Sequence, residues 1–136
     1  MAQVLIVAGL LLFLLGLLTG MAVPAMRNPR MAVASHLQGM TNGPFLVIVG
    51  LLWPRVNLPH AWQIASVVLL IYSTYANWLA TQLGALWGAG SKFAPHAAGD
   101  HRGSAFQERT VELLLVSLAP VIVIGTGLLI IGVLRS

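Results

Sequence analysis

Four apolar stretches, each long enough to cross a lipid bilayer, make up most of this 136-residue chain. They correspond to helices over about residues 4–23, 31–53, 61–88 and 105–134, and about 20 mainly apolar residues suffice to span the hydrocarbon core. Only 7% of the residues are charged, and a soluble fold would have too little polar surface to stay in water. The sequence therefore predicts an all-α integral membrane protein, a single domain that forms an antiparallel bundle of four transmembrane helices.

The connections between these stretches predict the topology. Two of them, "NPR" from Asn28 and "WPRVNLP" from Trp53, are short and contain proline, which favours antiparallel neighbours. Five basic residues lie in the first and third connections, and two lie on the opposite side. The positive-inside rule then puts the five-residue side in the cytoplasm and both termini outside. We expect a multi-pass protein of the bacterial inner membrane.

The remaining composition excludes several classes of function. The chain has no cysteine, so disulfides, thiolate catalysis and cysteine-ligated metals are excluded. No basic residue precedes the first apolar stretch, as it would in a signal peptide, so we expect that stretch to be retained as a helix. The net charge of +4 comes from basic residues scattered over loops, which does not indicate nucleic-acid binding.

Glycine pairs four residues apart occur in three of the four stretches and predict close helix packing. Small residues let membrane helices approach each other closely, because no hydrophobic drive operates between helices in lipid. The pairs are Gly16 and Gly20, Gly39 and Gly43, and Gly84 and Gly88. Taken alone they indicate a tight bundle and no chemistry. The long, glycine-rich connection from Gly88 to Ser104 is predicted to be either a functional lid or a mobile segment.

Polar side chains within the stretches concentrate near the predicted cytoplasmic side. His36 lies about 8 Å below the start of the second helix, at 1.5 Å per residue. Glu108 and Glu112 open the fourth helix, and intramembrane carboxylates are costly and usually functional. A histidine and carboxylates in a pocket of low dielectric suit general acid–base chemistry. The other polar residues at or near this level are Thr19, Asn77, Thr81, Gln82 and Gln107.

Each of these side chains also has a structural interpretation. A lone membrane histidine often only forms a hydrogen bond, Asn42 and Asn77 taken singly are explained as links between helices, and Glu108 is close enough to the interface to be solvated. Two other functions stay open: a small proton-coupled membrane transporter of aromatic or cationic compounds, and a haem- or quinone-binding membrane subunit.

A metal or haem site is a further alternative for the same residues. His36 and the glutamates could ligate a metal or a haem iron, with His96 and His101 contributing from the loop. No spaced motif such as HExxH is present. Acid–base chemistry is therefore the preferred interpretation.

Three long segments resemble the bacterial hydroxylaminobenzene mutase family over nearly the whole chain. They are "LLTGMAVPAMRNPRMAVASHLQGMTNGPFLVIVGLLWPR", "YSTYANWLATQLGALWGAG" and "AAGDHRGSAFQE". Members of that family are small membrane proteins that isomerise an arylhydroxylamine to an ortho-aminophenol during the degradation of nitroaromatic compounds. The residues that carry the resemblance are Asn28, Pro29, Arg30, His36, Asn42, Gly43, Asn77, Trp78, Gln107 and Glu108.

The resemblance implies a Bamberger-type rearrangement directed to the ortho carbon. An acid protonates the hydroxylamine oxygen, the N–O bond loosens, oxygen is delivered to the ring, and a base removes the ring proton. We expect Glu108 or Glu112 to be the acid and His36 the base, with Asn42 and Asn77 holding the migrating oxygen.

The resemblance also implies the partners of the reaction. Tyr75 and Trp78 would stack on the ring, where cation–π attraction contributes about 0.5–2 kcal/mol as charge develops. The expected substrate-binding residues are Gln38, Tyr75, Trp78, Gln107 and Arg30.

The product is an isomer of the substrate, so the reaction requires no cofactor, and a metal or haem at His36 stays an open alternative. We expect the arylhydroxylamine, the lipid bilayer and further copies of this chain as partners.

Overall fold

The structure, a computed structural model, describes all of residues 1–136 and is all-α. The predicted all-α class is confirmed, and each long helix begins and ends within two residues of its expected bounds. Two three-residue 3₁₀ turns, Val23–Ala25 and Trp53–Arg55, follow the first two helices. The helices are α1 (Ala2–Ala22), α2 (Pro29–Leu52), α3 (His60–Trp87), the short α4 (Pro95–Ala98) and α5 (Ala105–Leu134).

Local sequence signals explain where the helices start and stop. The Asn28 side chain caps α2 by accepting the N–H of the third helical residue at 3.2 Å. Pro29 follows at the first helical position, where its missing N–H costs nothing. Ser104 and Gln107 form a capping box at the start of α5. Helix α3 ends at Gly88 with φ of 67°, a left-handed conformation that glycine adopts without steric cost.

Helices α1 and α2 pack backbone against backbone through glycines. A Cβ added to Gly16 would lie 2.8 Å from the Gly39 Cα, and one added to Gly43 would lie 2.8 Å from the Gly9 carbonyl oxygen. Residue numbers fall along α1 as they rise along α2, so this pair is antiparallel. The predicted close packing of glycines is confirmed for this helix pair.

Helix α3 lies against α2, and α5 packs mainly on α3. The Ser66 hydroxyl donates to the Gly125 carbonyl oxygen at 3.4 Å, and the hydroxyls of Tyr72 and Ser117 are 2.6 Å apart. Only four residues of α5 are buried, so most of its apolar surface is exposed. They are Val111, Gly125, Leu129 and Gly132.

Three helices are long and apolar enough to cross a membrane: α1 with the turn that follows it, α3 and α5. Helix α2 has 24 residues, which is long enough, but its polar side chains lower its hydropathy and it is not among the three. The coarser prediction, an all-α membrane protein, therefore agrees with the structure. The bundle of four membrane-spanning helices stays a prediction.

Candidate active site

His36 lies on the outer side of the α1–α2 pair, with its ring against α1. Its Nδ1 is 2.8 Å from the Gly16 carbonyl oxygen. A carbonyl oxygen can only accept, so Nδ1 carries a hydrogen and Nε2 is the position that is free to exchange a proton. The half-buried ring lines an open groove of about 580 Å³. The other groove residues are Leu17, Gly20, Met21, Val23, Pro24 and Val33.

Gly20 makes room for this imidazole. A Cβ added to Gly20 would lie 2.6 Å from Nδ1 and 2.9 Å from Cε1 of His36. The sequence analysis identified Gly16 and Gly20 only as a packing pair. It missed that Gly20, by lacking a side chain, leaves space for the His36 ring. One sequence signal could have indicated this role: Gly20 is a small residue one helical turn from Gly16, whose carbonyl oxygen contacts His36.

Three amide side chains form a cluster between α2 and α3. The Oε1 of Gln38 accepts from the Nδ2 of Asn42 at 3.2 Å and from the Nδ2 of Asn77 at 2.7 Å. All three side chains are half-buried. We call these residues, Gln38, Asn42 and Asn77, the amide cluster. The structure thus brings together three of the predicted site residues.

A second polar network fills the space between α1, α2 and α3. The Oε1 of Gln82 accepts from the hydroxyls of Thr19 at 3.2 Å and Ser35 at 2.9 Å. The indole N–H of Trp78 donates to the Thr19 hydroxyl at 3.3 Å. Ser35 is fully buried and was not singled out by the sequence analysis. These contacts give Trp78 a part in helix packing, and its predicted stacking on a substrate ring is untested.

The other predicted substrate-binding residues lie apart from both His36 and the amide cluster. The Tyr75 hydroxyl donates to the Ala8 carbonyl oxygen at 2.7 Å and lines a groove of about 470 Å³ between α1 and α3. The Oε1 of Gln107 accepts the Ser104 N–H at 2.9 Å within the capping box. Arg30 is exposed and its side chain makes no hydrogen bond. No hydrogen bond connects any of these three to His36.

Glu108 anchors the connection between α3 and α5. Its Oε2 accepts the N–H of Gly90 at 3.0 Å and both the N–H and the hydroxyl of Ser91 at 3.2 Å. Its Oε1 accepts the Gly103 N–H at 3.0 Å. One carboxylate therefore ties the two ends of this loop to the start of α5.

Glu112 lies at the same end of the protein and pairs with two cations. Its Oε1 is 2.8 Å from the Nζ of Lys92 and 3.2 Å from the Nη1 of Arg109. Both cationic side chains are largely exposed. Exposed ion pairs of this kind contribute little to stability, so Glu112 is a surface pairing partner rather than a buried carboxyl group.

The sequence analysis expected His36 and the glutamates to converge on one pocket, and the structure keeps them apart. No hydrogen bond links His36 to Glu108 or Glu112, and the two carboxylates accept from the loop and from cations instead. No three histidine or carboxylate side chains group closely enough to hold a metal ion, so His96 and His101 join no such set. A haem iron needs one histidine only, and His36 remains available for that ligation.

Arg27 and Asn28, just before and at the start of α2, contact the end of α3 and the connection between α3 and α5. The Nδ2 of Asn28 donates to the carbonyl oxygens of Ala97 at 3.0 Å and Ala98 at 3.2 Å. The Nη1 of Arg27 donates to the Trp87 carbonyl oxygen at 2.7 Å. Asn28 is fully buried, and its contacts show that the "NPR" segment organises the loop.

Replacing Glu108 with glutamine is expected to loosen the loop, with cleavage between Gly88 and Ser104 accelerated on the order of tenfold. A glutamine side chain turns one acceptor oxygen into an NH₂ group, which faces backbone N–H donors and cannot accept from them. Limited proteolysis of the purified protein measures this effect. Asp100→Asn is the matched control, because the exposed Asp100 carboxylate lies in the same loop and makes no hydrogen bond, so this variant should be cleaved at the wild-type rate. Loss of activity in Glu108→Gln with wild-type cleavage would instead support the acid role predicted from the sequence.

Long apolar helices that carry one hydrogen-bonded histidine and three clustered amide side chains define a small all-α membrane protein with polar groups on its second helix. The chain belongs to the styrene oxide isomerase family, whose model matches residues 1–134. It is similar to two proteins of Ectopseudomonas oleovorans. Hydroxylaminobenzene mutase HabA is 60% identical over 135 residues, which cover 99% of this chain and 100% of HabA. Hydroxylaminobenzene mutase HabB is 48% identical over 119 residues, which cover 88% of this chain and 73% of HabB.

No solved structure matches the chain significantly. The resemblance inferred from the three sequence segments is confirmed by these comparisons. The transporter and the haem-binding subunit are not favoured as functions, because both relatives are named as mutases.

Proposed function

We propose that this chain is a hydroxylaminobenzene mutase, an isomerase that converts hydroxylaminobenzene and related arylhydroxylamines into 2-aminophenols. The observation that carries the proposal is the 60% identity to HabA over the full length of that relative. The exchangeable Nε2 of His36 and the amide cluster supply chemistry that suits this reaction.

The proposed setting is the bacterial inner membrane, which all four long helices cross as an antiparallel bundle. Helix α2 would be the fourth span even though its own hydropathy is lower. Its packing against α1 through Gly39 and against α3 through the buried Ser35 supports this, because a helix that contacts two spanning helices along its length lies with them in the membrane. The unequal numbers of basic residues on the two sides of the bundle, five against two, support a cytoplasmic location for the Gly88–Ser104 loop.

His36 is the proposed proton carrier. In the protonated ring Nε2–H donates its proton to the hydroxylamine oxygen, and the N–O bond breaks to leave positive charge on nitrogen and ring. The departing water oxygen bonds to the ortho carbon and passes one of its two protons to the nitrogen, which becomes the amine. Nε2 then takes the proton of that carbon and aromaticity returns. One proton is given and one is taken, so His36 ends as it began and no redox equivalent is consumed. The hydrogen bond to Gly16 keeps Nδ1 out of this exchange.

The amide cluster is proposed to hold the polar end of the substrate close to the ring carbon that receives oxygen. Its side chains are uncharged and half-buried, so they offer hydrogen bonds without capturing a proton. Positioning of this kind contributes to rate by keeping the reacting atoms close together. Exclusion of bulk water would also disfavour attack at the para carbon.

We further propose that the active protein is a homo-oligomer whose site is shared between two copies. Six residues along an α-helix turn through about 600°, which leaves the side chains of His36 and Asn42 about 120° apart. His36 contacts α1, whereas Gln38 bonds Asn77 of α3. A helix with its side chains is about 10 Å across, so one aromatic ring cannot reach both sides of α2. Apposition of the His36 face of one copy with the amide cluster of the next would complete one site.

The function is tested by giving phenylhydroxylamine to membranes that contain the protein and identifying the aminophenol formed. We expect 2-aminophenol without any added redox cofactor, and none in membranes that lack the protein. Formation of no aminophenol, or of 4-aminophenol alone, would contradict the proposal. The visible absorption spectrum of the purified sample tests the haem alternative at His36.

A further inference from the structure

The amide cluster has a defined orientation because Gln38 is its hub. The Nδ2 groups of both Asn42 and Asn77 donate to one oxygen, the Oε1 of Gln38. The nitrogen and the oxygen of an amide diverge from one carbon, so an asparagine that turns its Nδ2 to Gln38 presents its Oδ1 in a different direction. Neither Oδ1 atom accepts a hydrogen bond within the chain, and all three side chains remain partly accessible.

We propose that Gln38 is a positioning residue that sets substrate specificity by turning the Asn42 and Asn77 carbonyl oxygens towards the substrate. Two acceptor oxygens oriented by one hub residue can accept from a polar group that bears two donors. The N–H and O–H of an arylhydroxylamine are such a pair. This inference rests on the proposed function and names the substrate class that the cluster selects.

The same arrangement disfavours a substrate that lacks donors. An aryl epoxide, the substrate class in the name of the family, carries only an acceptor oxygen. Two carbonyl oxygens would face that oxygen without a hydrogen between them, and a site built to hydrogen-bond a donor rejects analogues that lack it. Gln38 thus provides a physical reason for a preference for hydroxylamines over epoxides in this chain.

Without the Oε1 of Gln38, the side-chain amides of Asn42 and Asn77 are expected to lose their fixed orientation. In Gln38→Met the side chain keeps its length, while its sulfur accepts hydrogen bonds only weakly. The two asparagine amides would then rotate freely and offer the substrate NH₂ groups as often as carbonyl oxygens. In Gln38→Glu the acceptor is retained, so both Nδ2 groups keep their partner and both carbonyl oxygens keep their direction.

The test compares two substrates, phenylhydroxylamine and N-methyl-N-phenylhydroxylamine, which keeps the O–H and lacks the N–H. In the wild type we expect kcat/KM to favour phenylhydroxylamine roughly 10- to 100-fold. In Gln38→Met the preference should fall to within about threefold, whereas Gln38→Glu should keep most of it. Gln3→Met, at the exposed start of α1, is the matched control and should behave as the wild type.

The outcomes separate this inference from the proposed function. Equal loss of kcat/KM for both substrates in Gln38→Met, with the preference unchanged, would show that Gln38 only supports the fold and would overturn the inference. A wild type that converts neither substrate would overturn the proposed function as well. Thermal unfolding of each variant confirms that folded proteins are compared.

Discussion

His36→Ala is expected to lower kcat for phenylhydroxylamine about 10²- to 10⁴-fold, the range typical of a lost general acid–base group. The substitution removes the Nε2 that carries the proton, and no second titratable side chain hydrogen-bonds to His36 as a substitute. Folding should be retained because the half-buried ring lies beside an open groove of about 580 Å³. The measurement is steady-state turnover of the purified variant, with its thermal unfolding recorded in parallel.

His60→Ala is the matched control for this experiment. His60 is an exposed histidine at the start of α3, and its replacement should leave kcat unchanged. Wild-type turnover by His36→Ala would remove the proton carrier from the proposed mechanism. The histidine would then be a structural hydrogen-bonder that attaches α2 to α1.

Gly39→Leu is expected to prevent folding of the membrane domain. Any Cβ at Gly39 meets the backbone of Gly16 on α1, and backbone atoms cannot move aside as a flexible side chain can. Overpacking a well-packed core costs about 1–3 kcal/mol and occasionally more, and a leucine here must also separate two helices. We expect little folded protein after detergent extraction, measured as the monodisperse fraction on size exclusion.

Gly127→Leu is the control for Gly39→Leu. A Cβ at Gly127 has nothing within 4 Å, so a leucine there should be accommodated and the extracted protein should run as the wild type does. A Gly39→Leu protein that folds and turns over normally would contradict the glycine-mediated contact between α1 and α2.

The sequence predicted the all-α class and the helix bounds because helix ends are set by local signals, such as the Asn28 cap and the glycine that ends α3. The glycine spacing predicted close packing, and the structure shows which pair, α1 and α2, uses it. The expectation of four apolar stretches that can each span a membrane holds for three helices by length and composition. Polar residues of the candidate site, among them His36 and Asn42, lie on α2 and make it less apolar than the other three long helices.

The candidate site was predicted in part, and the reason is geometric. The rise per residue gives the depth of a side chain along its helix, and this depth was the basis for assigning His36 and the glutamates to one end. Their direction around the helix axis depends on which helices are neighbours, and the sequence does not contain that order. The Glu108 contacts also depend on the loop conformation, including Gly90 at a φ of 104°. No residue pattern predicts such a loop.

The most direct test of a site shared between copies mixes two inactive variants. His36→Ala and Asn42→Ala chains carry different tags, are produced together, and are purified through both tags in succession. Purification through both tags leaves only oligomers that contain both variants. An intact His36 face then meets an intact amide cluster at about one of two interfaces in a dimer and about one of three in a trimeric ring. We therefore expect about a third to a half of wild-type mutase activity from this sample and almost none from either variant alone. Co-purified oligomers that stay as inactive as the single variants would contradict the shared site.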